Sequence, residues 1–176
     1  MIAELQHAVA LRAPATADAD ELFARVDACR KTLRAWLPWV DATRSPDDSR
    51  AFLESVSAGK SPAWLIEVDG RIGGMIDIHG ICKVNRIGHI GYWLADGHVG
   101  RGIMQQALSR VQAIAFDELG LHRLAIIAAR ENRRSCAAAE RQGFKLEGVL
   151  REHLLLDGRR WDACHYGLLA SERRAG

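Results

Sequence analysis

From Ile103 to Leu119 the apolar positions are Ile103, Met104, Ala107, Leu108, Val111, Ile114, Ala115 and Leu119. They form one face of a helix repeating at about 3.6 residues. Gln105, Gln106, Ser109, Arg110, Gln112 and Asp117 take the opposite face. Just before this helix lies Ile90-Gly91-Tyr92-Trp93-Leu94, an apolar run of strand composition. Gly97-His98-Val99-Gly100-Arg101-Gly102 joins the two, so the stretch predicts strand, glycine-rich turn and helix.

The pattern extends to both sides. His7 to Arg12 alternates as a strand and ends before Pro14. Thr16 is placed to cap a helix carrying Leu22, Phe23, Val26, Cys29 and Leu33 on one face. Trp36-Leu37-Pro38-Trp39 is a short link. Ser45-Pro46-Asp47-Asp48 combines a cap, a first-turn proline and acids at the positive helix end. The second helix it starts runs to Ala58 and stops at Gly59. Pro62 to Val68 and Arg71 to His79 read as strands joined by an Asp69-Gly70 turn. Ile81 to Arg86 is a polar link, and Ile87 to Leu94 is the next strand.

Arg123 to Ala129 is nearly all apolar, as in a strand covered on both faces. A short helix follows Asn132 and closes at Gly143. Phe144 to Leu156 and Trp161 to Leu169 are strands joined by Asp157-Gly158. This order predicts an α/β (α+β) layer fold with a mostly antiparallel sheet. The crossover through helix 102–119 makes its two flanking strands a parallel pair.

Composition narrows the class. A chain of 176 residues, 48% hydrophobic, is expected to form one domain, 1–176, with a sizeable core. A net charge of +2 gives no polybasic surface, so neither nucleic acid nor membrane is an expected partner. No signal peptide and no bilayer-length apolar run stand out. Cys29, Cys82, Cys136 and Cys164 are far apart and read as free thiols in a reducing cytoplasm. His79-x-x-Cys82 lacks two further ligands, so no metal is expected.

The glycine-rich turn carries the first chemistry. The leading amides of a helix have no intrahelical partner and sit at the positive end of its dipole. Glycines at 100 and 102 remove side chains that would hold a phosphate away. The backbone from Val99 to Met104 is therefore a candidate phosphate cradle. No Gly-Lys-Ser/Thr follows, and Gln105 stands where a dinucleotide fingerprint needs its third glycine. Taken alone, such a turn reads rather as a flexible helix entry.

Four segments in order change that balance: Leu33 to Asp41, His89 to Asp96, Gly97 to Leu108, and Asn132 to Gly148. Together they resemble the GNAT superfamily of acetyl-CoA-dependent N-acetyltransferases, most closely its Rim-type branch, which acetylates ribosomal-protein N-termini. The resemblance implies a mixed, mostly antiparallel sheet of six or seven strands, with helices on both faces and a splayed parallel strand pair. It also implies acetyl-CoA as co-substrate. The pantetheine arm would run along Trp93, Leu94 and Ala95. The diphosphate would sit on Val99, Gly100, Arg101, Gly102, Ile103 and Met104. Asn132 and Arg134 would complete the cofactor site, and Ser135 would face the departing sulfur. Gly97 stands where family loops commonly carry Gln or Arg, a departure that leaves the amides in place. Asn132 and Ser135 also have a local reading, as the start of a helix.

The general base is less legible. A family Glu position is occupied here by His89, and a Rim-type Glu position by Leu154. The resemblance leaves His89 and Glu152 as catalytic candidates. Glu152 would share a face with Leu154 in a regular strand. Asp77 and His79 alternate on the preceding strand and would reach the same cleft. Trp36, Trp39 and Asn85, in the polar link Lys83 to Arg86, would border the acceptor opening. An α-amine has a pKa of about 7.7–8.0 and a lysine about 10.4. A weak base therefore suits an α-amine, and a protein or peptide N-terminus is the expected acceptor. A small amine such as an aminoacyl nucleoside, a polyamine or an antibiotic is the alternative. A non-catalytic acyl-CoA-binding module is the reading from another class. The apolar C-terminal strand would offer an edge for a homodimer.

Overall fold

A computed structural model describes residues 8–59 and 61–173; His7 of the expected first strand lies outside them. The strands are β1 (Val9–Arg12), β2 (Ala63–Val68), β3 (Arg71–Cys82), β4 (Ile87–Leu94), β5 (Arg123–Ala129), β6 (Lys145–Leu156) and β7 (Arg159–Leu169). They form one sheet in the order β1-β2-β3-β4-β5-β7-β6. Every neighbouring pair is antiparallel except β4 and β5. The helices are α1 (Ala19–Ala28), α2 (Arg30–Arg34), α3 (Pro46–Ser57), α4 (Ile103–Ala113) and α5 (Arg133–Arg141).

Local chemistry explains most of these boundaries. Asp69-Gly70 and Asp157-Gly158 all take positive φ, as two-residue hairpin turns require. Ser45 Oγ accepts from the Asp48 N–H, and the Asp48 carboxylate accepts from the Ser45 N–H, closing a reciprocal cap on α3. Helices cover both faces of the sheet. Ile76, Ile78, Leu108, Leu124, Ile126 and Leu168 form the core beneath α4 and α5. Leu22, Val26, Leu53, Leu65, Met75 and Trp93 form the core beneath α1 to α3.

Four expectations change. The first helix breaks at Cys29 (φ −108°), and Thr16 lies in a preceding 3-10 turn instead of capping it. Helix α4 passes into a π-helical turn at Ile114–Glu118, which shifts the phase of its apolar face. Leu119 is consequently exposed. Gln112, expected on the polar face, is buried and donates to the Gln142 carbonyl at 3.2 Å. The C-terminal strand β7 is interior to the sheet, and β6 and β1 are its edges.

The β4–β5 pair defines the working region. The two strands pair only at Ile87–Arg123, Gly88–Leu124 and His89–Ala125. Beyond these rungs β4 stays with β3 as far as Leu94, and β5 stays with β7 as far as Ala129. The strands therefore part, leaving the backbone of Ile90 to Leu94 without a ladder on the β5 side.

Candidate active site

A cavity of about 690 Å³ opens where β4 and β5 separate. Trp93 and Leu94 line it from β4; Val99, Gly100, Gly102, Ile103 and Met104 line it from the turn and the start of α4. Asn132, Arg134 and Ser135 close it from the start of α5, and Trp36 reaches it from beyond α2. Ala95 is buried behind this wall, and Arg101 lies on the exposed side of the turn.

The turn has the conformation that only glycine adopts easily. Gly100 has φ +82° and Gly102 has φ +72°, and Gly102 is the N-cap residue of α4. A methyl group at Gly100 would meet nothing within 4 Å, so that glycine is required by the backbone and by what approaches it, not by packing. The amides at the start of α4 face an open cavity wall at the positive end of a helix.

The start of α5 places a second donor set. Asn132 caps the helix, its Oδ1 accepting from the Ser135 N–H at 3.2 Å. The Ser135 hydroxyl is left for the cavity side, where its Oγ lies 2.9 Å from the Tyr92 hydroxyl. Burial pushes the Tyr92 phenol up to about 12. Tyr92 is the residue that the sequence reading missed. Only its place in the segment His89 to Asp96, one residue before Trp93, hinted at the cleft.

The base candidates fall elsewhere. His89 stands at the last β4–β5 rung, at the apex of the gap, outside the cavity lining. Its ring stacks on His79 with centroids 5.9 Å apart. Burial lowers its pKa, helped by His79, His165 and Arg123. His79 is held by Asp77 through a 2.6 Å hydrogen bond, which raises its pKa. Asp77 and His79 do not reach the main cleft. They line a separate hollow of about 220 Å³ against Phe52, Ser55 and Val56 of α3.

Glu152 is also misplaced by the strand argument. The β6–β7 register slips between Leu150 and Leu154, and Glu152 sits in that bulge at φ +51°, exposed. Its N–H donates to Asp162 Oδ1 at 3.0 Å, so it no longer shares a regular face with Leu154. Asn85 lies in the β3–β4 turn, at the opposite end of β4 from the cavity, roughly 25 Å away at strand rise. Trp36 lines the cavity and packs on Trp161 with ring centroids 5.8 Å apart. Trp39 packs on Trp93, centroids 6.3 Å apart, outside the lining. Arg34 donates to both Asp41 and Asp157, tying α2 to the β6–β7 turn beside the aromatic pair.

The Acetyltransferase (GNAT) domain family matches this chain over residues 9–145. The chain belongs to the GNAT acetyltransferase family. A putative ribosomal N-acetyltransferase, YdaF of Bacillus subtilis (strain 168), is 35% identical over 88% of this chain and 87% of its own. The ribosomal L7/L12 alpha-N-protein acetyltransferase RimL, solved with coenzyme A, superposes with a TM-score of 0.86 at 26% identity, covering 92% of this chain and 93% of its own. The microcin C7 self immunity acetyltransferase MccE, solved with acetyl-CoA and AMP, gives 0.85 at 27% identity, covering 92% of each chain.

As a GNAT enzyme the protein is an acetyl-CoA-dependent N-acetyltransferase, and its splayed sheet is the family's fold. The cleft fits that co-substrate. It offers an unladdered strand edge for an amide-bearing arm, and a helix N-terminus with open glycines for a diphosphate. Among the described residues, no group of three or more His, Cys, Asp or Glu is placed to hold a metal ion. No described helix is long and apolar enough to cross a membrane.

Proposed function

We propose that this enzyme acetylates a protein or peptide N-terminal α-amine of the ribosomal-protein type, in the cytoplasm. The observation that carries the reading is the shortage of carboxylate in the cleft. Asp96 is the acid in its lining, and its Oδ2 already accepts from the Thr32 hydroxyl at 3.0 Å. The nearest titratable base on β4 is His89, whose lowered pKa keeps it neutral but weak near pH 7. Such a site suits an amine that is already partly neutral. Roughly a tenth of an α-amine is unprotonated at pH 7, against well under a hundredth of a lysine. The names of the YdaF and RimL relatives point the same way.

Acetyl-CoA supplies the thioester acyl group. In this proposal the edge of Trp93, Leu94 and Ala95 orients its amide-bearing arm, and the amides from Val99 to Met104 hold its diphosphate. Arg101 and Arg134 add positive charge there. The Leu94 backbone amide is the donor for the oxyanion, and Asn132 binds the arm while ordering α5. Ser135 donates a hydrogen bond to the departing sulfur. His89 accepts the amine proton through water. The amine attacks directly, so no cysteine takes part, and Trp36 borders the acceptor side.

A small-molecule amine is the second reading, favoured by the likeness to MccE. The test is CoA release from acetyl-CoA with peptides of different N-termini and with small amines, by the wild type and by Ser135→Ala. Turnover of peptides that collapses in Ser135→Ala is the expected result. Turnover of small amines alone would replace the acceptor class. Acetyl-CoA binding with no CoA release to any acceptor would make the chain an acyl-CoA-binding module.

A further inference from the structure

Tyr92 projects from β4 into the cleft, and the acetyl-transfer scheme above gives it no part. Its hydroxyl lies 2.9 Å from Ser135 Oγ and 3.3 Å from the Ser135 carbonyl oxygen. Among the described residues, both acceptors within its reach belong to Ser135, a residue 43 positions away in sequence. The proton count then decides the geometry. A phenol has one proton and a serine hydroxyl has one. If the phenol donates to the carbonyl, the serine proton turns back to the phenol oxygen, away from the cleft. If the phenol donates to Oγ, the serine proton is free to point into the cleft. The second arrangement uses the shorter contact, and of these two it alone leaves the serine proton for an incoming sulfur.

We infer that Tyr92 is a positioning residue, its hydroxyl donating to Ser135 Oγ so that the serine proton is directed at the leaving sulfur. The inference rests on the role proposed for Ser135. During transfer the amine nitrogen bonds to the acetyl carbon, the carbon–sulfur bond breaks, and its electron pair goes to sulfur. A thiol has a pKa of about 8.5, so the thiolate is a stable product that needs a hydrogen bond and not a full proton. The amine proton leaves through water to His89, as in the scheme above. The phenol, pushed up to about 12 by burial, keeps its proton throughout and acts purely as a donor. Its cleft position also explains why a tyrosine stands here: phenylalanine would pack equally well, and only the hydroxyl reaches Ser135.

The test is a double-mutant cycle on kcat, with Tyr92→Phe and Ser135→Ala made singly and together. At saturating acetyl-CoA, Tyr92→Phe is expected to lower kcat by about 10- to 100-fold, the range for losing a hydrogen bond that supports developing charge. Its KM for acetyl-CoA stays close to the wild-type value. In the Ser135→Ala background the same change has little further effect, because the hydroxyl has nothing left to orient. Equal losses in both backgrounds would overturn the inference, as would a raised KM with kcat intact. If Tyr92→Phe disturbs folding, a fluorinated tyrosine at position 92 keeps the shape and lowers the phenol pKa. The kcat then falls on the alkaline side only when Ser135 is present, and an unchanged profile overturns the inference. The leaving group is the same for any acceptor. The cycle is therefore read with a peptide, a small amine or water, which separates it from an error in the acceptor class. A wild type that releases CoA to no acceptor overturns both.

Discussion

Gly102→Ala separates what the glycine turn does for the fold from what it does for the ligand. Gly102 caps α4 at φ +72° and ψ 1°, and a Cβ there would find Gln105 Oε1 at 3.9 Å, an ordinary contact. Without ligand the substitution therefore costs only the left-handed backbone strain, roughly 1–2 kcal/mol for a residue with a Cβ. At roughly 2–4 °C per kcal/mol for a chain of this size, the melting temperature should fall by several degrees. With acetyl-CoA in the proposed cradle the cost is larger, because the added methyl sits at the N-cap of α4, where the diphosphate would approach. Losing one charge-assisted bond from that cradle costs about 1.5–3 kcal/mol, or about 10- to 100-fold in Kd. Calorimetric titration with acetyl-CoA should show that loss. S-acetylpantetheine, which lacks the diphosphate, should bind wild type and variant alike. Gly97→Ala is the control, since Gly97 has no positive φ and its Cβ meets nothing within 4 Å. It should change neither stability nor binding. Equal weakening toward acetyl-CoA and S-acetylpantetheine would refute the reasoning, and so would an unchanged Kd for acetyl-CoA.

Gly74→Ala should be worse for the fold, because its Cβ would lie 2.2 Å from the Trp93 carbonyl oxygen and 3.0 Å from Leu94 Cα. Backbone cannot yield as a side chain can, so β3 and β4 must separate at the cleft, at a cost of about 1–3 kcal/mol or more. A wild-type melting temperature would contradict this. In a histidine titration by NMR, His89 and His165 should titrate below the ordinary histidine value, and His79 above it. For the two lowered groups the stability they contribute is complete above their unfolded pKa, near 6.5, and is lost as pH falls through their folded values. His79 has the opposite sign: its contribution is complete below that pKa and is lost as pH rises through its raised value. The His79–Asp77 pair is partly exposed, so its share is small. If His89 accepts the amine proton, kcat/KM should rise through a limb below the ordinary histidine pKa, and His89→Gln should abolish that limb; its survival would exonerate His89. Glu152→Gln should change turnover by less than about twofold, since its side chain lies on an exposed bulge. A tenfold loss would return Glu152 to the reacting centre.

Local sequence determined the elements of this protein. The cap at Ser45, the Asp-Gly hairpins and the glycine entry to α4 are each specified within a few residues by capping, φ preference and hydrophobic period, and each lies where its sequence predicts. The family's motifs made one wall of the cleft legible for the same reason: Val99 to Met104 and Asn132 to Ser135 are contiguous segments, and most of their residues line the cavity. The placement of the base candidates was not legible. Glu152 follows strand alternation on paper, but alternation holds only while the partner strand keeps register, and β7 slips against β6 at that residue. Asp77 and His79 point to the face chosen by their strand, yet α3 occupies that face and gives them a hollow of their own. His89 lost the cleft because the gap opens one rung beyond it, a distance set by how far β5 follows β7. The meeting of Tyr92 with Ser135 belongs wholly to the tertiary structure. Two hydroxyls 43 residues apart have no local signal, and only the packing of α5 over the parted strands brings them within hydrogen-bonding distance.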